Sequence, residues 1–119
     1  MSSAGPFLPD QPERATVDGR AGPALLVFGT AWCGHCRAAA PAIEAALAAH
    51  PGVAIDWVED GPGRRLGRSF GVKLWPTLIF LRDGKELERL IRPRESGPVL
   101  QALSAIDPAV SPRDIEPTA

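Results

Sequence analysis

The five residues Trp32-Cys33-Gly34-His35-Cys36 hold both cysteines of the chain and sit where one hydrophobic pattern gives way to another. Before them, Ala24-Leu25-Leu26-Val27-Phe28 is an unbroken apolar run of strand length, the pattern of a central strand covered on both faces. After them, residues 37–49 are rich in alanine, with Ile43 and Leu47 four apart, which predicts a helix with one face turned to a sheet. Strand, short loop, Cys-x-x-Cys, helix restricts the chain to a layered α/β fold with two sulfurs at the mouth of a helix.

That placement suits reversible thiol–disulfide exchange. At a helix N-terminus, unpaired backbone N–H groups and the positive end of the helix dipole favour thiolate over thiol. Thiols so placed fall to a pKa of roughly 3.5–7.5. Cys36 lies one turn further on the same face, a separation compatible with the roughly 4.4–6.8 Å between Cα atoms that a disulfide tolerates. Cys33 is therefore the expected attacking thiol, and Cys36, inside the helix, the more buried resolving thiol. Gly34 leaves the mouth open, and His35 is placed to carry a proton or donate a hydrogen bond toward the thiolate. Other uses of two cysteines fit less well. A structural disulfide over so short a loop removes little unfolded-state entropy. Zinc needs two further ligands, with only His35 and His50 as histidines. Covalent haem attachment needs a histidine where Arg37 stands. No metal and no cofactor beyond the Cys33–Cys36 dithiol is expected.

The 119 residues suffice for one core. A net charge of −1 without a basic stripe argues against a nucleic-acid or membrane-surface role, and no apolar stretch approaches the ~20 residues of a membrane span. Residues 1–22 mix acidic and basic side chains with no apolar core of a secretory leader. A cytoplasmic, monomeric chain is expected, in a compartment where catalytic dithiols are normal and structural disulfides rare.

Residues 1–22 are expected to form an arm or a short helix near 12–17, residues 23–107 the folded domain, and residues 108–119, with three prolines, a mobile tail. Within the domain the pattern predicts strands at 24–29, 53–58, 78–81 and 87–91. Helices are predicted at 33–49, interrupted by Pro41, at 64–70 and at 95–106. Arg82-Asp83-Gly84-Lys85 is read as a hairpin turn, and His50 as a cap on the end of the first long helix. The predicted fold is a three-layer α/β sandwich around a mixed sheet, parallel in its first half and antiparallel in its second.

Over roughly residues 24–106 the chain resembles the thioredoxin family. Trp32-Cys33-Gly34-His35-Cys36 looks like the family's redox motif, its Gly-His dipeptide being more typical of protein disulfide isomerase domains. Pro41 stands five residues after the second cysteine, like the family's helix-kinking proline, and Trp75-Pro76-Thr77 looks like its cis-proline loop. The resemblance implies that Pro76 is cis and faces the sulfurs. It also implies that Trp32 packs beside Cys33 at the surface, and that Trp75, Pro76 and Thr77 line a groove with Trp32 and Gly34. There the backbone of Trp75 would pair with an extended substrate segment. The implied activity is reduction of disulfide-containing protein substrates, with recharging by an upstream reductase such as a thioredoxin reductase. A disulfide oxidant or isomerase, and a non-catalytic binding or chaperone module using the same groove, are the alternatives. One position departs from the family pattern: the buried acid six residues before the first cysteine is replaced by Val27. Glu59 and Asp60 are the acids expected nearest the same sheet edge. If the family's opening strand exists here, it lies around Phe7-Leu8.

Overall fold

A computed structural model describes residues 7–9 and 11–108. The residues expected to form a mobile tail lie, from 109 onward, outside the described residues. In chain order the elements are α1 (Arg14–Asp18), β1 (Pro23–Gly29), α2 (Gly34–Ala48), β2 (Ala54–Glu59), α3 (Arg65–Ser69), β3 (Thr77–Arg82), β4 (Lys85–Ile91) and α4 (Ser96–Ile106). The four strands form one sheet in the order β2-β1-β3-β4. The β1–β2 pair is parallel, and the β1–β3 and β3–β4 pairs are antiparallel, as the patterning predicts.

The continuous apolar run of β1 is explained by two cores. Leu25 and Val27 point into a cluster with Ile43 of α2 and Val99, Leu103 and Ile106 of α4. Ala24, Leu26 and Phe28 point the other way, onto Val17 of α1 and Leu66 and Phe70 beside α3. Alternation along a strand sends each residue to one face or the other, and both faces here are covered by helices. The N-terminal residues join this body. Val17 is fully buried, and Leu8 makes a single parallel bridge to Val58, with its N–H on the Trp57 carbonyl at 3.0 Å. Among the described residues the opening strand is thus represented by one bridge.

β4 is the exposed edge and carries Lys85, Glu86, Glu88 and Arg89, charges that discourage edge-to-edge pairing. Its turn from β3 places Asp83 at φ 54° and Gly84 at φ 80°, the two positive angles of a type I′ hairpin. The hairpin is not regular throughout. Its register shifts by one residue between Phe80 and Leu81, so that Thr77 pairs with Ile91.

The reading of His50 as a helix cap is corrected. Its ring is buried and meets the Asp107 carboxylate at 2.9 Å, joining the end of α2 to the end of α4. A histidine this dry satisfies its ring nitrogens inside the protein rather than on the last carbonyls of its helix.

Candidate functional site

The site forms where β1 hands the chain to α2. β1 ends at Gly29, whose carbonyl accepts the Asp60 N–H at 2.8 Å. A Cβ at Gly29 would overlap the Cys36 sulfur and lie 2.9 Å from Cζ of Phe7, so only glycine lets the strand pass this close to that sulfur. The chain then turns through Thr30, whose carbonyl accepts the Cys33 N–H at 3.4 Å. Cys33 is the N-cap of α2, with extended backbone (φ −78°, ψ 124°), and its carbonyl receives the Arg37 N–H at 3.0 Å. The helix therefore starts one residue later than predicted, with the first sulfur just outside the first turn.

Both cysteines are free thiols, so the structure is the dithiol form. Cys33 is 9 % exposed and Cys36 only 1 %. The Cys36 thiol is pushed up to about 12, by burial first and also by the neighbouring Cys33 sulfur, against a backbone hydrogen bond from Thr30 and the positive charge of Arg92. The two sulfurs thus differ in the way sequential exchange needs: one at the surface end of the helix, the other held protonated behind it.

The groove wall is built from the loop before β3. The Trp75–Pro76 peptide is cis, and Pro76 is buried. Trp32 is 72 % exposed and meets Trp75 edge-to-face, ring centroids 5.6 Å apart. The Trp75 indole N–H donates to Asp60 Oδ2 at 2.9 Å, which fixes the ring, and the Thr77 hydroxyl turns inward to donate to the Leu74 carbonyl at 2.6 Å. Trp32, Trp75 and Pro76 therefore come together. Gly34 opens the first turn of α2, and a Cβ there would meet nothing within 4 Å. His35 is exposed on that turn, and the Cys36 sulfur finds its hydrogen-bond partners in Thr30 and Cys33 rather than in this ring.

The two candidate acids are engaged elsewhere. Asp60 holds Trp75, and Glu59 meets the Arg64 guanidinium at 3.3 Å. Val27 is fully buried in the cluster beneath α2, so an apolar side chain fills the place of the family's acid. One residue of the site was missed from the sequence. Arg92, at φ 55°, donates its backbone N–H to the Pro76 carbonyl at 2.9 Å and its Nε–H to the Trp75 carbonyl at 2.8 Å. The β3–β4 pairing carries Arg92 to the cis-proline loop only through the register shift between Phe80 and Leu81, which no sequence pattern marks.

A buried dithiol at a helix mouth, walled by a cis-proline loop on a mixed four-stranded sheet, defines a thiol–disulfide oxidoreductase of the thioredoxin fold. Comparison with known proteins places it more closely. The thioredoxin family model matches residues 11–105. Thioredoxin of Chlamydia muridarum is 35% identical over 80 residues, covering 67% of this chain and 78% of that protein. Protein disulfide-isomerase A2 of Pongo abelii is 46% identical over 81 residues, 62% of this chain, but the chain spans only 15% of that much longer protein. Among solved structures, reduced thioredoxin 2 of Pseudomonas aeruginosa superimposes with a TM-score of 0.75 at 49% identity, over 83% of this chain and 92% of that one. The chain belongs to the thioredoxin family. Among the described residues no helix is long and apolar enough to cross a membrane.

Proposed function

We propose that the protein reduces disulfides of protein substrates, with Cys33 as nucleophile and Cys36 as resolving thiol. The asymmetry of the two sulfurs carries this reading: Cys33 caps the helix at the groove, while Cys36 is sealed behind Gly29 with its thiol held well above the usual range. The Cys33 thiolate attacks one sulfur of the substrate disulfide. The substrate S–S bond breaks, a mixed disulfide forms, and one substrate thiolate leaves and takes up a proton. Cys36 then gives up its proton and attacks the Cys33 sulfur, releasing the second substrate thiol. Two electrons have moved to the substrate, and the protein is left as the Cys33–Cys36 disulfide, to be reduced again by an upstream dithiol enzyme.

The remaining residues orient and admit. Trp32, Gly34 and Trp75 line the groove, and Pro76 and Thr77 shape the loop along which an extended substrate segment pairs with main-chain groups. His35, exposed beside the sulfurs, supplies a proton donor in contact with water rather than a fixed hydrogen bond. No cofactor besides the dithiol takes part, and the protein acts as a cytoplasmic monomer.

A Cys36→Ser variant is expected to accumulate a substrate mixed disulfide, readable as a dithiothreitol-sensitive adduct by mass spectrometry, whereas Cys33→Ser traps nothing. Equal trapping by both variants rejects the assignment of roles. The Gly-His dipeptide and the similarity to protein disulfide-isomerase A2 support a second reading, a disulfide oxidant or isomerase using the same two sulfurs in the other direction.

A further inference from the structure

Arg92, Arg68 and Lys73, all near Trp75, have no carboxylate partner among the described residues. The guanidinium of Arg92 is half-buried against the cis-proline loop and spends one of its five N–H donors on the Trp75 carbonyl. No carboxylate of the described residues forms an ion pair with it. Trp75 and Asp60 also line a cleft of about 280 Å³ together with Arg64, Arg68 and Lys73. The cleft also holds the Asp60 carboxylate, which accepts from the neutral Trp75 indole and keeps its charge, and Arg64 is paired with Glu59. An extended segment lying along Trp75 therefore meets the unpaired Arg92, while the cleft cations Arg68 and Lys73 are offset in part by Asp60.

Arg92 is the best placed of these to read a substrate. Its backbone conformation at φ 55° is one that side chains other than glycine adopt rarely, and it is held by the bonds to Pro76 and Trp75. The bond through Nε occupies the Trp75 carbonyl, an acceptor that a pairing strand would otherwise use, and leaves the planar Nη fork free. A carboxylate meets such a fork through two parallel hydrogen bonds. The guanidinium also lies close enough to the resolving sulfur for its charge to be felt there. A group bound to it therefore lies against the cis-proline loop, where Arg92 is held by its bonds to Pro76 and Trp75.

We propose that Arg92 is a specificity-determining residue of this groove, and that its guanidinium pairs with a carboxylate flanking the disulfide of an acidic substrate segment. This rests on the reading of the site as a protein-disulfide reductase and names the class of substrate it favours. Lys73 and Arg68 add long-range attraction to the same class, which salt screens.

The test uses the full chain in its dithiol form and three disulfide-bonded peptides identical except at the two residues beside one cysteine: glutamate, glutamine or lysine. Each rate is divided by that of dithiothreitol on the same peptide, which removes differences in intrinsic reactivity. The expected order of kcat/KM is glutamate, glutamine, lysine, with glutamate about fivefold over glutamine at low salt, the order a partly exposed ion pair supports. The ratio shrinks at high salt, falls in Arg92→Gln to the small, salt-screened remainder that Arg68 and Lys73 leave, and is partly kept in Arg92→Lys. Equal rates on the glutamate and glutamine peptides with the unmutated protein overturn the proposal, as does a ratio that survives Arg92→Gln undiminished. Failure to reduce any of the three peptides overturns the reductase reading on which it stands.

Discussion

Because Cys36 is held protonated by its surroundings, the dithiol protein is expected to lose stability in alkali through this one thiol. The group moves from an ordinary 9.0 to about 12, with burial the largest cause. Below about pH 9 the thiol is neutral in both folded and unfolded chains, and nothing is lost. Above it the unfolded chain releases the proton while the folded chain keeps it, so stability falls with rising pH by about 1.4 kcal/mol per unit until the folded value is reached. From pH 8 to pH 10 the Cys36 contribution comes to about 1.4 kcal/mol. The perturbation that isolates it is Cys36→Ala, which keeps Cys33 and every other titrating group. Urea unfolding of both proteins under reducing conditions at the two pH values gives four free energies. The stability difference between unmutated protein and variant is expected to move against the unmutated protein by about 1.4 kcal/mol between pH 8 and pH 10. A difference that stays constant refutes the argument that burial at the end of β1 controls this sulfur.

Two further perturbations probe the same packing. Gly29→Ala forces a methyl group against the Cys36 sulfur and the Phe7 ring, and is expected to cost about 1–3 kcal/mol in urea unfolding; an unchanged midpoint would mean the strand and α2 separate freely there. Asp107→Ala leaves the buried His50 ring without this carboxylate, and is expected to cost about 1–3 kcal/mol at neutral pH; a neutral substitution would show that the link between the ends of α2 and α4 contributes nothing net.

The mixed character of the sheet, its helical layers and the position of the dithiol were legible because each rests on a local pattern. The run from Ala24 to Phe28 has no polar residue, so it had to be covered on both faces. The Asp83-Gly84 pair supplies the two positive φ angles that close the β3–β4 hairpin. Three features were not legible, and each depends on contacts between distant residues. Arg92 is one. Counting outward from the hairpin turn, Arg82 opposite Lys85 and Leu81 opposite Glu86, sets Ile91 against Pro76. The irregularity between Phe80 and Leu81 shifts that count by one and brings Arg92 there instead. No sequence pattern at Phe80 or Leu81 announces the shift. His50 is another, since the turn residues after it suggested a helix end, while its partner Asp107 lies 57 residues away. The third is Asp60, identified as an acid at the right sheet edge but not as the group that fixes Trp75.

The central claim, that this dithiol works as a reductant, is tested most directly by its midpoint potential. The protein would be equilibrated against a dithiothreitol series and followed by tryptophan fluorescence, Trp32 lying next to Cys33 in sequence and packed on Trp75. The account predicts a midpoint near the roughly −270 mV of thioredoxin. A midpoint near the roughly −180 mV of protein disulfide isomerase contradicts it: that difference is about 4 kcal/mol in the two-electron couple, and it would make oxidation or isomerisation the favoured direction.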